Sequence, residues 1–453
     1  MPQEPTKTLA EFAASLTYEA IPLKARESCR MLLLDALACA LAGHQGEETG
    51  QIDAVATALG SSEDSTVIGG GRRSLAGATL LNGYLITAVT MCDVHRATLT
   101  HITPEIVPSA LAIAERYGAS GRDLLTAIAA GLEVTTRVGI GLDYPVFRAK
   151  GWHGPGVIGP FGAAAAAGRL REHDAETMAR AFGLAGSQSA GTFAAWGTPT
   201  VKFHQCRGAL SGLMAALLAE QGFVATEEFL TSPDGGLYNT YAEGGRPEDT
   251  IADLGEQWEL CQIALRLWPA ATPLQDVITA LSDLVVRHEI EFAEIEKVRI
   301  ALSKTPFDMH GRFATYKAKF EALLSAHYIA AVYLRDRTVT LAQLERTCYD
   351  DPALRQFAVE RVEVIHDPKL IGGQAIADVT TQDGKTVTAR CNHPLGTPEN
   401  PLSRDQVEDK FRTYAVSRLS PDTVESVITA IDKLETLSSA RELIDLLRQP
   451  NKA

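Results

Sequence analysis

Gly151-Trp152-His153-Gly154-Pro155-Gly156-Val157-Ile158-Gly159, running on into Gly162-Ala-Ala-Ala-Ala-Ala-Gly168, is the stretch that decides the fold class. Gly154, Gly156 and Gly159 spell G-x-G-x-x-G, the spacing of a dinucleotide-binding turn. That turn needs a strand just before it and a helix after it. Residues 147–152 (FRAKGW) do not read as a strand, so the dinucleotide reading is set aside. What remains is a glycine loop that opens a small-residue helix, with His153 just ahead of it. Helix N-termini attract anions through free N–H groups and the macrodipole. His153 is therefore a candidate to bind or protonate a carboxylate; the plainer reading is a histidine that caps or packs at the turn.

Outward from this loop the first half reads as helix after helix. Residues 22–43 carry a nearly continuous apolar face and end at Ala42-Gly43, as a glycine C-cap would. Residues 75–91 are small and apolar. Residues 104–117 place Ile106, Val107, Ala110, Leu111 and Ile113 near helical period and stop at Gly118. Further helices are expected over 121–139, 156–170, 175–186 and 207–222. So many small residues imply close-packed helices, buried on more than one side.

The pattern changes after about Trp268. Residues 296–303 and 359–366 alternate with period two, as half-buried strands do. Residues 374–381 and 385–391 flank Asp383-Gly384, a hairpin signal. Helices are expected over 316–334 and 341–347, and the tail, 404–447, is helical again. The chain thus reads as mainly α with a smaller α+β domain. A large helical domain built from both chain ends, 1–267 and 399–453, is interrupted by an inserted α+β domain over 268–398.

Charge bounds the partners. The 453 residues hold 42 Lys+Arg against 56 Asp+Glu, a net charge of −14. An acidic surface argues against nucleic acid and against an anionic membrane face. It does not argue against a small anionic substrate in a local cationic pocket. Cys29, Cys39, Cys92, Cys206, Cys261, Cys348 and Cys391 are scattered and form no C-x-x-C, which reads as reduced thiols in a cytoplasmic protein. No secretory signal is read at the N-terminus. No apolar run is expected to approach the roughly 18–20 residues that span a bilayer.

Three segments carry chemistry-bearing side chains. The first is Cys92-Asp93-Val94-His95-Arg96 with His101. It reads as a general base with an orienting carboxylate, as a two-histidine, one-carboxylate metal site of Asp93, His95 and His101, or as a polar loop between helices. No Cys/His tetrad and no H-E-x-x-H supports zinc. The second is His153 in its glycine loop. The third is Thr198-Pro199-Thr200-Val201-Lys202-Phe203-His204, just before a helix. Lys202 among apolar neighbours is suited to hold a carboxylate, or to act as a base if desolvation lowers its pKa; a solvated loop lysine is the alternative. Residues 185–191 (AGSQSAG) lack the order of a hydrolase elbow.

At these residues the chain resembles the MmgE/PrpD family of 2-methylcitrate dehydratase, cis-aconitate decarboxylase and iminodisuccinate epimerase. The resemblance runs nearly end to end. It is carried by Leu33-Leu-Asp-Ala-Leu-Ala-Cys-Ala-Leu-Ala-Gly43, the Asp93/His95/His101 segment and the Gly151-Trp-His-Gly-Pro-Gly loop. Val201-Lys202-x-His204 and His393-Pro-Leu-Gly396 with Tyr414 complete it. It implies a homodimer, no cofactor, a site between the two domains and small di- or tricarboxylate substrates. By this resemblance Asp93 is the second acid of an Asp-Asp pair, His101 the histidine that follows it, His153 the loop histidine and Lys202 the active-site lysine. His95 matches a histidine found in part of the family.

Two departures stand out. Cys92 replaces the first acid. In Arg266-Leu-Trp-Pro-Ala-Ala-Thr-Pro-Leu-Gln275, Gln275 stands where histidine is common and Arg266 stands for a lysine. Glutamine binds carboxylates but moves no protons, which counts against the decarboxylation and leaves simpler proton transfer open.

The expected chemistry is proton removal next to a carboxylate, with the enediolate stabilised electrostatically. Lys202 and the helix N-termini after His153 and Lys202 would hold carboxylates. His101 or His153, oriented by Asp93, would move the proton, with Tyr144 as a further acid-base candidate from its place before the glycine loop. His95, His204, Gln275 and Arg266 are expected to bind substrate. Loss of hydroxyl gives a dehydratase, the leading expectation, and reprotonation on the other face gives an epimerase. A decarboxylase, a metal-dependent oxygenase and a non-catalytic dicarboxylate-binding protein are the rivals.

Overall fold

Glycine and alanine let the helices of the N-terminal half touch backbone to backbone. The computed structural model describes residues 4–449. Its helices in this half are α1 (Pro5–Ser15), α2 (Leu23–Gly43), α3 (Thr49–Ala58), α4 (Leu75–Thr87), α5 (Thr103–Tyr117), α6 (Gly121–Gly141), α7 (Tyr144–Ala149), α8 (Gly154–Leu170), α9 (Ala175–Gly186) and α10 (Thr200–Glu220). A side chain at Gly131 of α6 would lie 2.7 Å from the Gly162 carbonyl of α8. One at Gly83 of α4 would lie 2.9 Å from both the Cys206 Cα of α10 and the Pro104 carbonyl of α5. Interiors are packed to crystal density, so such contacts leave no room for even a methyl group. Gly154, Gly156 and Gly159 belong to α8 and serve this packing, with a helix rather than a strand ahead of them.

The chain divides into two units, one reaching to Ala264 and resuming at Ser403, the other Leu265–Leu402. The first is helical apart from two short antiparallel pairs, β1 (Ser65–Thr66) with β2 (Arg72–Arg73) and β3 (Val94–His95) with β4 (Ile263–Ala264). The C-terminal helix Arg404–Ala415 packs on α2. There the Lys410 ammonium meets the Asp35 carboxylate at 2.6 Å, with both side chains fully buried, and also donates to the Met91 carbonyl at 2.9 Å. Burial disfavours the charge on Lys410, but the Asp35 carboxylate outweighs it and holds the amine above its ordinary pKa.

The second unit holds β5 (Ile295–Leu302), β6 (Val362–His366), β7 (Ala375–Thr381) and β8 (Thr386–Cys391) in the order β6-β5-β7-β8. β5 and β6 run parallel, Val298 opposite Val362; β5–β7 and β7–β8 are antiparallel. Asp383-Gly384 makes the expected hairpin, with Gly384 at φ +82°. Helix Thr272–His288 packs on β7 and β8, and helix Ala326–Asp336 packs on both that helix and β6. The fold class is thus mainly α with a smaller α+β part, as the sequence predicts.

Several local expectations are corrected. Gly43 is not a left-handed cap: the chain continues right-handed at His44, φ −62°, and Gly43 is small because the Leu85 backbone of α4 lies against it. α10 starts at Thr200, not 207, so Lys202 and His204 lie in a helix rather than a loop. Residues 316–334 break at Ser325, which caps the helix that follows it. Residues 359 and 360 finish a helix before β6 begins. α6 is long and apolar enough to cross a bilayer, contrary to the expectation that no run is. It is buried within its unit, and its Glu133–Arg137 ion pair closes at 2.6 Å in the interior.

Candidate functional site

The N-termini of α5, α8 and α10 bring the chemistry-bearing segments of the first unit together. His153 is the N-cap residue of α8, and its side chain makes no cap hydrogen bond. Its ring turns instead to α10, where its Nδ1 lies 2.9 Å from the Nδ1 of His204. The edge of Phe193 lies against His153, ring centroids 5.7 Å apart. Burial, then the charges of His204, His101 and Arg148, push His153 down to about 3. Burial and Arg207 lower His204 as well. Both rings are therefore neutral at neutral pH.

His101 precedes α5. Its Nδ1 lies 2.7 Å from the backbone carbonyl of Asp93. A carbonyl only accepts, so Nδ1 carries a proton and Nε2 is the outer nitrogen. The loop that presents it is strained: Thr90 (φ +59°) and Leu99 (φ +44°) are both left-handed. Such strain in non-glycine residues collects at functional segments.

The Asp93 carboxylate does a different task from the one expected. It accepts from the backbone N–H groups of Ile102 (2.9 Å) and Thr103 (3.1 Å) and from the Thr103 hydroxyl, capping α5. Burial pushes it up to about 6 against the pull of the Thr103 and Ile102 bonds. It is the backbone of Asp93, not its carboxylate, that orients His101.

Lys202 sits in the first turn of α10 and is buried. Its Nζ is 3.1 Å from Glu48 Oε2, which also accepts from the Tyr84 hydroxyl. Burial raises the Glu48 carboxyl, but Tyr84 and Lys202 outweigh it, so the group lies below the ordinary carboxylate value. The sequence did not point to Glu48 or Tyr84, whose only signal was their residue type.

Glu105, in the first turn of α5, was also missed. It is fully buried, and neither carboxyl oxygen has a hydrogen-bond partner among the described residues. A side chain at Gly159 would meet its Cδ at 2.6 Å. Burial, reinforced by Asp93, raises its pKa well above normal. A raised carboxyl pKa means the folded state binds a proton that the unfolded state has lost. Stability is therefore full below about pH 4.3 and falls as pH rises from there towards the folded value. Glu105→Gln is expected to match the wild type near pH 4 and to melt on the order of 2 °C or more higher at pH 8. Thermal scans at the two pH values check this; an equal or lower melting point at pH 8 contradicts it.

Residues 7–250 match the MmgE/PrpD N-terminal domain, and residues 268–436 match the MmgE/PrpD C-terminal domain. The chain belongs to the MmgE/PrpD family. Among its relatives, the cis-aconitate decarboxylase-like protein oryM of Aspergillus oryzae is 28% identical, over 98% of this chain and 97% of its own. Cis-aconitate decarboxylase of Aspergillus terreus is 24% identical over 99% and 96%, and that of Mus musculus 28% over 94% and 89%.

Within this MmgE/PrpD chain four further expected site residues make local contacts of their own. His95 is fully buried, with Nδ1 2.9 Å from the Thr98 hydroxyl and Nε2 3.4 Å from Glu259, so it ties its loop to the segment before β4 and has no face for substrate. Its ring atoms and the Asp93 carboxylate are thus engaged away from the geometry of a shared metal. Gln275 donates its amide N–H to the Trp268 and Ala270 carbonyls, at 3.0 and 3.2 Å, and so fastens its own loop within the second unit. Arg266 is buried in that same unit and donates to the Ala270 carbonyl at 3.3 Å. Tyr144 opens α7, rests on Phe147 at 6.3 Å between ring centroids, and has its pKa raised by burial, so it is no base at neutral pH. Its hydroxyl makes no hydrogen bond among the described residues.

Proposed function

We propose that this MmgE/PrpD chain is a carboxylate-acting lyase that removes a proton from the carbon next to a carboxylate of a small di- or tricarboxylate and expels water, in the manner of a 2-methylcitrate dehydratase. The observation that carries the reading is the neutral His153–His204 pair at the N-termini of α8 and α10, with the Lys202 ammonium in the same first turn. His153 supplies the base. Lys202 and the positive N-terminal end of α8 stabilise the charge that builds on the carboxylate as carbon is ionised. No step calls for a cofactor. Gln275, which moves no proton, stands where the family commonly carries histidine, and this supports loss of water over loss of CO2. The names of the relatives favour a second reading, decarboxylation of cis-aconitate. Incubation with 2-methylcitrate and with cis-aconitate, read by NMR, separates the two. An alkene with CO2 retained is the expected product; CO2 release from cis-aconitate with no dehydration of 2-methylcitrate would replace the first reading with the second.

The partner in this reading is a second copy of the chain. Phe203, Met214 and Leu218 are all exposed on α10, and their spacing of 11 and 4 residues sets them on one face. Contiguous exposed apolar faces mark interaction sites. Light scattering is expected to give twice the 48.6 kDa chain mass, and Met214→Glu with Leu218→Glu to halve it. A wild-type mass of one chain contradicts the dimer.

A further inference from the structure

The contact between His153 and His204 is made through the same atom on each ring, Nδ1 to Nδ1 at 2.9 Å. Such a contact is a hydrogen bond only if one Nδ1 holds a proton and the other a lone pair. Two neutral rings joined this way must be opposite tautomers. One then shows a lone pair at Nε2 and the other an N–H at Nε2. The pair carries one base and one acid at its two outer ends, and moving the single shared proton exchanges them. Neither Nε2 is sealed in the interior without a partner.

We propose that His153 and His204 act as a shared-proton pair, in which His153 takes the substrate proton at Nε2 while its Nδ1 proton crosses to His204, which gives up a proton from its own Nε2. This rests on the reading above that His153 is the base. The substrate C–H bond breaks and its electron pair stays on the substrate as the enediolate. The His153 Nε2–H bond forms. The Nδ1–H bond of His153 breaks as that of His204 forms. The Nε2 proton of His204 goes to water or to the departing hydroxyl. The pair is neutral before and after with tautomers exchanged, and proton exchange with water resets it.

The surroundings favour this direction. His153 is faced by His101, by Arg148 and by the Phe193 ring, over which the Arg148 guanidinium lies at 3.5 Å. A lasting imidazolium there is opposed by burial and by like charge. His204 is faced by Arg207 and by the Gly191 backbone. A histidine serving only to pack would not need a partner that accepts a proton.

The test has two arms on the full-length protein. The first uses no substrate. Nitrogen-15 NMR of histidine side chains is expected to show opposite tautomers for His153 and His204. It is also expected to show neither ring titrating near pH 6.5. Two identical tautomers, or independent titration near pH 6.5, overturn the pair whatever reaction the enzyme performs. The second arm uses His204→Asn, whose amide oxygen still accepts from the His153 N–H but passes no proton. With 2-methylcitrate deuterated at the carbon that is ionised, kcat is expected to fall about 10–100-fold, within the reach of a lost proton-transfer group, while KM stays within about twofold. Release of deuterium to water should fall in step. His204→Ala should recover part of its rate with added imidazole. Wild-type rate and wild-type deuterium release in His204→Asn overturn the relay. If wild-type protein turns over no carboxylate, the function reading fails and the first arm still decides the pair. If the Asn variant does not fold, the NMR of the wild type decides.

Discussion

His153→Asn lowers kcat by about 10²–10⁴-fold, the range for loss of a general base, with the protein still folded. The asparagine amide stands near the position of Nδ1, so the bond to His204 is kept while the outer nitrogen is lost. Folding is therefore little affected, since a neutral hydrogen bond contributes only about 1 kcal/mol even when broken outright. Steady-state rates on 2-methylcitrate, with circular dichroism as control, measure the two effects separately. A folded variant with wild-type kcat contradicts the assignment. The depressed pKa of His153 adds a pH signature. The folded state resists protonation down to about 3, whereas the unfolded ring binds its proton at about 6.5. The stability from this group is therefore present above about pH 6.5 and is lost as pH falls from there towards 3.

Lys410→Met costs the fold about 3–5 kcal/mol, because it removes one partner of an ion pair buried out of water. The Lys410 and Asp35 side chains are both fully buried at 2.6 Å. The methionine leaves the Asp35 carboxylate facing an apolar neighbour. Replacing both, Asp35→Leu with Lys410→Met, is expected to cost far less than the two single changes added together, since a well-packed apolar pair substitutes for a buried ion pair at little or no cost. The single variant has a second effect. Lys410 also holds the Met91 carbonyl, one residue before the Cys92–His101 loop, so it joins the C-terminal segment to the loop that presents His101. Activity should fall along with stability. Denaturant titrations of the two singles and the double measure the cycle; a single-variant loss under 1 kcal/mol contradicts the account.

Much of the fold was legible because its signals are local. The Gly-Pro pair after His153 and the glycine–alanine run mark the start and the close packing of α8. Alternation marks β5, and Asp383-Gly384 marks the hairpin. The start of α10 is hidden although Pro199 stands at its N-cap, because a lysine and a histidine among Thr, Pro and Phe fit a loop as well as a first turn. Gly43 looked like a cap because a glycine needed for helix contact and one needed for a left-handed turn are the same letter.

The candidate site's histidines and lysine stand out in the sequence by residue type, but their pairings do not. His153 and His204 are 51 residues apart, and Lys202 and Glu48 are 154 apart. No periodicity announces such meetings. Asp93 and His95 belong to a motif that does gather near the site, yet one caps a helix and the other ties a loop. Residue type and spacing are the same for a carboxylate that orients a base and for one that accepts helix N–H groups. Only the direction of its oxygens tells them apart.

Ionisation of a carbon next to a carboxylate by the His153 group is the claim on which the rest depends. Deuterium uptake from D2O into 2-methylcitrate, cis-aconitate, malate-like acids and iminodisuccinate, followed by NMR, reads that step even where net turnover is slow. The wild type is predicted to place deuterium on the carbon beside a carboxylate in at least one of these acids, and His153→Asn to abolish it. No uptake into any of them by the folded wild type, or equal uptake by the variant, would contradict the claim.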